Sequence, residues 1–327
     1  MRRAFILVPA GLLGLGLVTL GAGAAWAYSR ANAILTTPVP LHRVEINLPE
    51  PTAPAAPDTV DADADAPVPA GPTPYEASLE RGQHLLAARY PCTECHGPDL
   101  AGAAMIDDPL LGSFYGPNLT GGAGSRVGGF TTADWDAIVR HGVLPGGTPG
   151  LMPSQDFFAM SDQELADIIV AIRALPPIDR EMPPQRVGPL GKVLLATGAL
   201  PLAASRFPDH FAEHQLTPPE PSDRLAFGEH LAQVCVGCHN DALSGGPVVG
   251  GDPNWPDASN LTPHDEGLAG WTFEGFETAM RTGVKPDGSR FVPPMNVIPD
   301  FAQHMTPEEM DALWAFLATL EPQPTPR

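Results

Sequence analysis

The residues of this chain whose types and spacing could do chemistry are four cysteines and the two histidines that follow them. They occur in two copies of one pattern, C-T-E-C-H at residues 92–96 and C-V-G-C-H at residues 235–239, and the chain has no other cysteine. C-x-x-C-H is the attachment signature of a c-type haem, in which each thiol adds to a vinyl group and the histidine reaches the iron. The predicted thioether-forming residues are Cys92, Cys95, Cys235 and Cys238, and the predicted proximal iron ligands are His96 and His239.

Other uses of paired cysteines explain this pattern less well. A redox dithiol, half of a zinc site or a disulfide would also place two cysteines close together. None of them accounts for a histidine directly after the second cysteine in both copies. The sequence therefore predicts two covalently bound haem c groups.

A methionine is the predicted sixth iron ligand of each haem. Met152 and Met295 each lie in a proline-bearing loop, and each follows the histidine of its own copy at the same distance along the chain. The remaining methionines stand beside helix caps, inside a helix or without a counterpart in the other copy. A thioether sulfur raises the reduction potential of a haem, whereas a second histidine lowers it.

Several further residues occupy matched places in the two copies. Arg140 and Arg281 each end a predicted helix before the methionine loop, and either a helix C-terminal charge or a haem-propionate partner explains them. The other predicted haem-pocket residues are Asn118, Asn260, Trp135 and Trp271. His84 and His230 are predicted to be partly exposed residues of the leading helices. The histidines without a counterpart are predicted to be solvated, and they include His42, His210, His214, His264 and His304.

The matched residues extend over two whole units of the chain. The Asn-Leu-Thr triplets at 118–120 and 260–262 differ by 142 positions, and the cysteines differ by 143. Each last helix opens with a capping box, Ser161 with Glu164 and Thr306 with Glu309. A nearly constant offset predicts a duplicated domain. We expect domain 1 at residues 75–177, an interdomain strap at 178–221 and domain 2 at 222–327.

The N-terminal part of the chain is predicted to contain a membrane segment followed by a spacer. The run between Arg3 and Arg30 carries no charged side chain and is long enough for a transmembrane helix. A cleaved signal is the alternative, because Ala25-Trp26-Ala27 resembles a cleavage site that would remove residues 1–27. Residues 1–30 are thus predicted to be an anchor or signal. Residues 31–74, rich in proline and aspartate towards their end, are predicted to be an extended tether.

The charge balance restricts the partners. The formal net charge is −20, with 38 acidic and 18 basic side chains, so nucleic acid is not expected to bind. A lysine-ringed docking face is also excluded, because Lys192 and Lys285 are the only lysines.

Taken together, these motifs resemble those of the membrane-anchored dihaem c-type cytochromes of bacteria, built from two class I cytochrome c domains. The chain is also similar to cytochrome subunits of quinoprotein alcohol and sugar dehydrogenases, which usually carry three haem motifs. The resemblance implies an all-α fold with two tandem domains. It also implies that a proline carbonyl accepts a hydrogen bond from the haem-ligating histidine. Pro117 is placed for this in domain 1, whereas Ser259 stands at the matching place in domain 2.

The same resemblance implies a function and a location. It implies a carrier of single electrons between periplasmic or membrane-bound donor and acceptor proteins, and not an enzyme. A subunit of a membrane-bound dehydrogenase complex and a dihaem peroxidase are the alternatives. We expect a single-pass protein of the cytoplasmic membrane with its haem domains on the periplasmic side, or a soluble periplasmic protein if the signal is cleaved.

Overall fold

The computed structural model describes residues 21–51, 71–207, 209–252 and 254–327. Domain 1 contains four helices and one 3-10 turn around an apolar core. They are α2 (Pro74–Ala88), α3 (Cys92–His96), α4 (Thr132–Val139), the turn Ser154–Asp156 and α5 (Asp162–Arg173). The core is formed by apolar residues of α2, α4, α5 and the loops between them.

Domain 2 repeats this order. Its elements are α7 (Arg224–Ala232), the 3-10 turn Gln233–Cys235, α8 (Val236–His239), α9 (Phe273–Thr282), the 3-10 turn Met295–Val297, α10 (Ile298–Ala302) and α11 (Pro307–Thr319). In each domain the first helix crosses the last at a glycine. A Cβ atom at Gly82 would overlap the carbonyl oxygen of Asp167, and one at Gly228 would overlap that of Ala312. The duplicated glycines therefore allow the close helix crossings of both domains.

Both predicted capping boxes are present. The Ser161 side chain accepts from the backbone N–H of Glu164, and the Glu164 carboxylate accepts from the backbone N–H of Ser161. Thr306 and Glu309 make the same pair at the start of α11. Each pair satisfies N–H groups that the first turn of a helix leaves free.

A small antiparallel sheet corrects the all-α prediction. Its strands are β1 (Ala103–Asp108), β2 (Gly112–Gly116) and β3 (Arg186–Val187), in the order β1-β2-β3. Strands β1 and β2 form a hairpin between the first haem motif and Asn118, and the interdomain strap supplies β3. Gly112 has φ +133°, and a Cβ atom there would overlap the carbonyl oxygen of Arg186. Only glycine allows β3 to approach so closely.

The N-terminal residues pack against the strap. Residues 21–36 are helical (α1), and α6 (Pro189–Thr197) lies beside them. Ala31 is fully buried in a cluster with Leu195, and Arg30 Nε donates to the carbonyl oxygen of Ala196 at 2.9 Å. Within the described ranges no helix is both long and apolar enough to cross a bilayer. Residues 1–20, most of the predicted anchor, lie outside the described residues.

The predicted tether is wrong for residues 31–51. Residues 31–36 are helical, and residues 38–51 have no regular secondary structure but lie on domain 1. Ile46 and Leu48 pack against the domain 1 core, and the Ile46 N–H donates to Thr132 Oγ1 at 3.0 Å. These apolar side chains bury surface that a proline-rich spacer does not offer. Residues 52–70 of the predicted tether lie outside the described residues.

Candidate haem sites

The two proximal histidines are held by backbone carbonyls. His96 ends α3, and its Nδ1 donates to the carbonyl oxygen of Pro117 at 2.9 Å. His239 ends α8, and its Nδ1 donates to the carbonyl oxygen of Ser259 at 2.7 Å. The predicted hydrogen bond from the histidine to a proline carbonyl is thus confirmed for Pro117. Ser259 makes the same contact in domain 2, because the acceptor is a backbone atom. The arrangement leaves each Nε2 with a lone pair, as an iron ligand requires.

Burial favours the neutral form of both histidines. It lowers the pKa of His96 and of His239, and the hydrogen bond to the carbonyl only partly offsets this. A neutral imidazole is the form that binds a metal. The two histidines therefore fit the proximal position of a haem.

The cysteines also fit thioether attachment better than a thiolate site. All four lie in the described part of the chain and none forms a disulfide. Burial, with a smaller effect of the neighbouring cysteine, raises the pKa of Cys92 and of Cys235 to about 12. Burial also raises the pKa of Cys95 and of Cys238. Free thiols here would stay protonated near neutral pH, which opposes the reactive thiolate of dithiol redox chemistry.

In domain 1 an asparagine holds the loop that carries the histidine's acceptor. Asn118 follows Pro117 and is fully buried. Its Nδ2 donates to the carbonyl oxygen of Ile178 at 2.8 Å, and its Oδ1 accepts from the Thr120 N–H at 2.9 Å and hydroxyl at 2.8 Å. The side chain therefore ties the chain after α5 to the loop beside His96.

Asn260 does the same in domain 2. Its Nδ2 donates to the carbonyl oxygen of Gln323 at 2.7 Å, and its Oδ1 accepts from the Thr262 N–H at 2.8 Å and hydroxyl at 2.7 Å. The sequence predicted both asparagines as haem-pocket residues. Their contacts are to protein groups, and direct contact with haem stays a prediction.

The two arginines tie the end of one helix to the start of another. Arg140 is fully buried, and its guanidinium donates to Asp136 Oδ1 at 2.7 Å and to the carbonyl oxygen of Met160 at 3.1 Å. The Arg281 guanidinium donates to the carbonyl oxygen of Met305 at 3.3 Å. Met160 and Met305 stand directly before the caps of α5 and α11. A propionate contact of either arginine stays a prediction.

The methionine loops lie in matched places. Met152 is partly buried against the same apolar core as Cys92. Met295 is partly buried at the first residue of its 3-10 turn. Ligation of the iron by either methionine stays a prediction.

A buried tryptophan provides a further test of whether a haem fits domain 1. Trp135 is 3% exposed, and its ring meets Phe130 edge-on with ring centres 5.9 Å apart. Its Nε1 is buried and finds no acceptor among the described residues. A buried donor without an acceptor is costly. A bound group that offers an acceptor, as a haem propionate does, would satisfy it.

Reciprocal histidine–carboxylate contacts join the two domains, a feature that the sequence did not predict. His230 Nε2 lies 2.9 Å from the Glu164 carboxylate, and His84 Nε2 lies 2.9 Å from the Glu309 carboxylate. The Arg89 guanidinium also lies 2.8 Å from the Glu164 carboxylate. The prediction that both histidines are partly exposed is wrong for His230, which is buried at the interface. His84 is one-third exposed.

The same interface brings each haem motif against the other domain's methionine loop. Gly237 of the second motif lies against the Asp156 carboxylate, where a Cβ atom would overlap Oδ1. Burial raises the pKa of Asp156 to about 6, although Arg206 opposes this. On the other side, Thr93 of the first motif shares a cleft with Phe301 and His304, which follow Met295. The structure thus places each haem motif at the interface, against the other domain.

Comparison with known families agrees with this geometry. Residues 77–170 match the family described as cytochrome C oxidase, cbb3-type, subunit III, and residues 226–321 match the family described as cytochrome c. Together the two matches cover more than half of the chain, one in each domain.

Individual relatives match large parts of the chain. The cytochrome c subunit of a quinone alcohol dehydrogenase from Gluconacetobacter polyoxogenes is 25% identical over 76% of this chain and 57% of its own length. A diheme cytochrome c-type protein of Cereibacter sphaeroides is 28% identical over 60% of this chain and 70% of its own length. The cytochrome c subunit of a gluconate 2-dehydrogenase from Pantoea cypripedii is 25% identical over 75% of this chain and 60% of its own length. The chain spans under two-thirds of both dehydrogenase subunits. With its two attachment motifs, paired domains and these relatives, it belongs to the dihaem c-type cytochromes and carries two covalently bound haem c groups.

Proposed function

We propose that this protein carries single electrons between a donor and an acceptor protein, passing them between its two haems. When bound, each haem supplies a one-electron Fe(III)/Fe(II) couple. The observation that carries the proposal is the reciprocal interface, in which Gly237 contacts Asp156 and Thr93 shares a cleft with Phe301. Because each attachment motif lies against the other domain, the arrangement favours electron exchange within the chain.

The protein's own residues keep both sites rigid. The carbonyl oxygens of Pro117 and Ser259 fix the histidine tautomer and ring orientation. Asn118 and Asn260 hold the loops that bear these carbonyls. A site that keeps its geometry when its charge changes by one electron loses little energy to rearrangement. These contacts therefore suit a carrier that cycles between two oxidation states.

The Met152 and Met295 loops support a carrier over a peroxidase. A peroxidase requires a haem with an open or displaceable position for peroxide. Both domains here offer a methionine at the same distance along the chain from the proximal histidine. We expect both haems to be low-spin and ligated by His and Met, and turnover of hydrogen peroxide to be negligible.

Its donor is proposed to be a dehydrogenase. Cytochrome subunits of alcohol, fructose and gluconate dehydrogenases are among the relatives. Purification in mild detergent, followed by mass spectrometry of the co-purifying proteins, distinguishes a bound subunit from a free carrier. A dehydrogenase subunit that stays with the chain at one to one would establish the complex. Recovery of the chain alone would favour the free carrier.

We also propose that the haem domains lie outside the cytoplasm, because bacteria attach haem c there, and that residues 4–29 hold the chain at the membrane. Carbonate washing of membranes and N-terminal sequencing test the second point. An anchored chain stays in the washed membranes. A mature protein that begins at Tyr28 would show a cleaved signal instead.

Electron uptake by the full chain tests the carrier function directly. In a spectroelectrochemical titration, we expect two one-electron steps per chain and no change of spin state. Rapid mixing with a reduced small cytochrome should reduce both haems within one fast reaction. A haem that stays oxidised, or becomes high-spin on reduction, would contradict the proposal.

A further inference from the structure

Domain 1 and the strap share a group of three histidines and one aspartate, here called the histidine cluster: the buried Asp136 and His141, and the partly buried His210 and His214. His141 Nδ1 lies 3.2 Å from His210 Nδ1, and His141 Nε2 lies 3.1 Å from His214 Nε2. One ligand atom each from Asp136, His141 and His214 lie within 4.8 Å of one another. The prediction that His210 and His214 are solvated is therefore wrong.

Hydrogen bonding fixes where the central histidine carries its proton. His210 Nε2 donates to the carbonyl oxygen of Ala204 at 2.8 Å, so a neutral His210 keeps its lone pair on Nδ1. His141 must then donate its single proton from Nδ1 to His210. Its Nε2 is left with a lone pair that faces His214. Metal-bound histidines are oriented in the same way, by a hydrogen bond from the other ring nitrogen.

The aspartate supplies a second and independent observation. Asp136 is fully buried, and its Oδ1 accepts from Arg140 Nε at 2.7 Å. Its Oδ2 is also buried and has no hydrogen-bond partner among the described residues. An unpartnered buried carboxylate oxygen costs free energy, and a cation beside it removes that cost.

The charges around the cluster favour a bound cation. Arg140 carries one positive charge and is paired with two carboxylates, Asp136 and Asp162. One negative charge is therefore in excess. The excess carboxylate offsets the repulsion between Arg140 and a cation.

We propose that Asp136, His141 and His214 bind one divalent transition-metal ion of the Zn²⁺ class, with His210 as a positioning residue. Imidazole and carboxylate are common zinc ligands, and three protein ligands leave a fourth position for water. Two nitrogens bound to one tetrahedral Zn²⁺ lie about 3.3 Å apart, given Zn–N distances of about 2.0–2.1 Å. The His141 and His214 nitrogens, 3.1 Å apart, need little movement to reach this geometry.

An ion here would fasten the strap to domain 1. The residues after His214 already cap α5, because Asp162 and Gln163 donate their N–H groups to Gln215 and Leu216 at 2.9 and 3.0 Å. Beside His141, Gly142 packs close to Ser154 of the methionine loop. The ion would thus hold together the end of α4, the strap and the loop that carries Met152.

Zinc binding by the haem-loaded full chain tests the proposal. The purified protein is treated with a chelator, dialysed against Zn²⁺, and analysed for zinc and iron. We expect one tightly bound zinc for every two irons, and an X-ray absorption spectrum at the zinc edge with two imidazoles in the first shell. The His214→Gln variant should lose this zinc. The His210→Gln variant should bind it about 10- to 100-fold more weakly, as expected for loss of an orienting partner.

The exposed His304 provides the matched control, because His304→Gln removes a histidine outside the cluster. This variant should keep its zinc. His214→Gln alters a partly exposed strap residue, and an unchanged haem content and visible spectrum would show that it folds. If wild type binds no more zinc than His214→Gln, the cluster is a chain of hydrogen-bonded imidazoles and the proposal is wrong. Equal loss of zinc in His304→Gln would also overturn it.

Discussion

The interdomain contact of Glu164 allows a quantitative prediction. Its carboxylate accepts from His230 Nε2 at 2.9 Å and lies 2.8 Å from Arg89, and the side chains of Glu164, His230 and Arg89 are only 3%, 5% and 8% exposed. The Glu164→Gln variant keeps an oxygen for the Ser161 cap but removes the charge. Loss of one partner of a buried ion pair costs roughly 3–5 kcal/mol. We expect this variant to lower the free energy of unfolding by about 3 kcal/mol, which is near the low end of that range.

The pKa of Glu164 leads to the same magnitude. Burial alone would raise this pKa, but the hydrogen bond from His230 and the charge of Arg89 outweigh burial and lower it from 4.5 to about 2. At about 1.4 kcal/mol for each tenfold change in proton affinity, this is roughly 3 kcal/mol of stabilisation. A lowered pKa stabilises the folded state above pH 4.5, and the stabilisation is lost as the pH falls towards 2.

Glu309 is the matched control. It makes the reciprocal pair with His84, which is 32% exposed, so solvent screens the interaction. We expect Glu309→Gln to cost about 1 kcal/mol. The assay is guanidinium unfolding followed by circular dichroism at pH 7 and pH 3. The difference in the free energy of unfolding between wild type and Glu164→Gln should be smaller at pH 3 than at pH 7. The argument would be refuted if both variants lost the same free energy of unfolding, or if the difference between wild type and Glu164→Gln did not change with pH.

Three further predictions concern the haems and their partner. Met152→His should leave a low-spin haem but lower its potential, because imidazole replaces the thioether; an unchanged potential would mean that Met152 is not the ligand. Trp135→Phe should lower the potential of the same haem, because a propionate that loses its donor stabilises Fe(III); if Nε1 has no acceptor in the holoprotein, potentiometry will find no change. The net charge of −20 should steer a basic partner. In stopped flow a basic small cytochrome should react faster than an acidic one at low salt and slow as salt rises, since the Debye length falls to about 8 Å at physiological salt. A faster acidic partner would contradict this.

The sequence predicted features that short stretches of chain determine. The haem motifs and the capping box of Ser161 with Glu164 depend on residues only a few positions apart. The duplication was visible because the same residues recur at a nearly constant offset. Helix α5 (Asp162–Arg173) begins directly after its predicted cap.

Long-range packing decided the features that the sequence did not predict. The strand Arg186–Val187 pairs with a hairpin that lies before α4 and α5 in the chain, and neither stretch has a strong strand pattern alone. His230 is buried because Glu164 lies opposite it on the other domain. His214 reaches His141 across 73 positions. No local pattern indicates such partners, so exposure was the reasonable expectation from sequence.

The covalent haem content of the denatured chain tests the central claim most directly. The full-length protein is unfolded in acid and organic solvent, which removes any haem that is not covalently attached, and its intact mass is measured. Cys92, Cys95, Cys235 and Cys238 predict a mass increase of two haems, and the double variant Cys235→Ser/Cys238→Ser should retain one. A wild-type chain that keeps one haem or none would contradict the account.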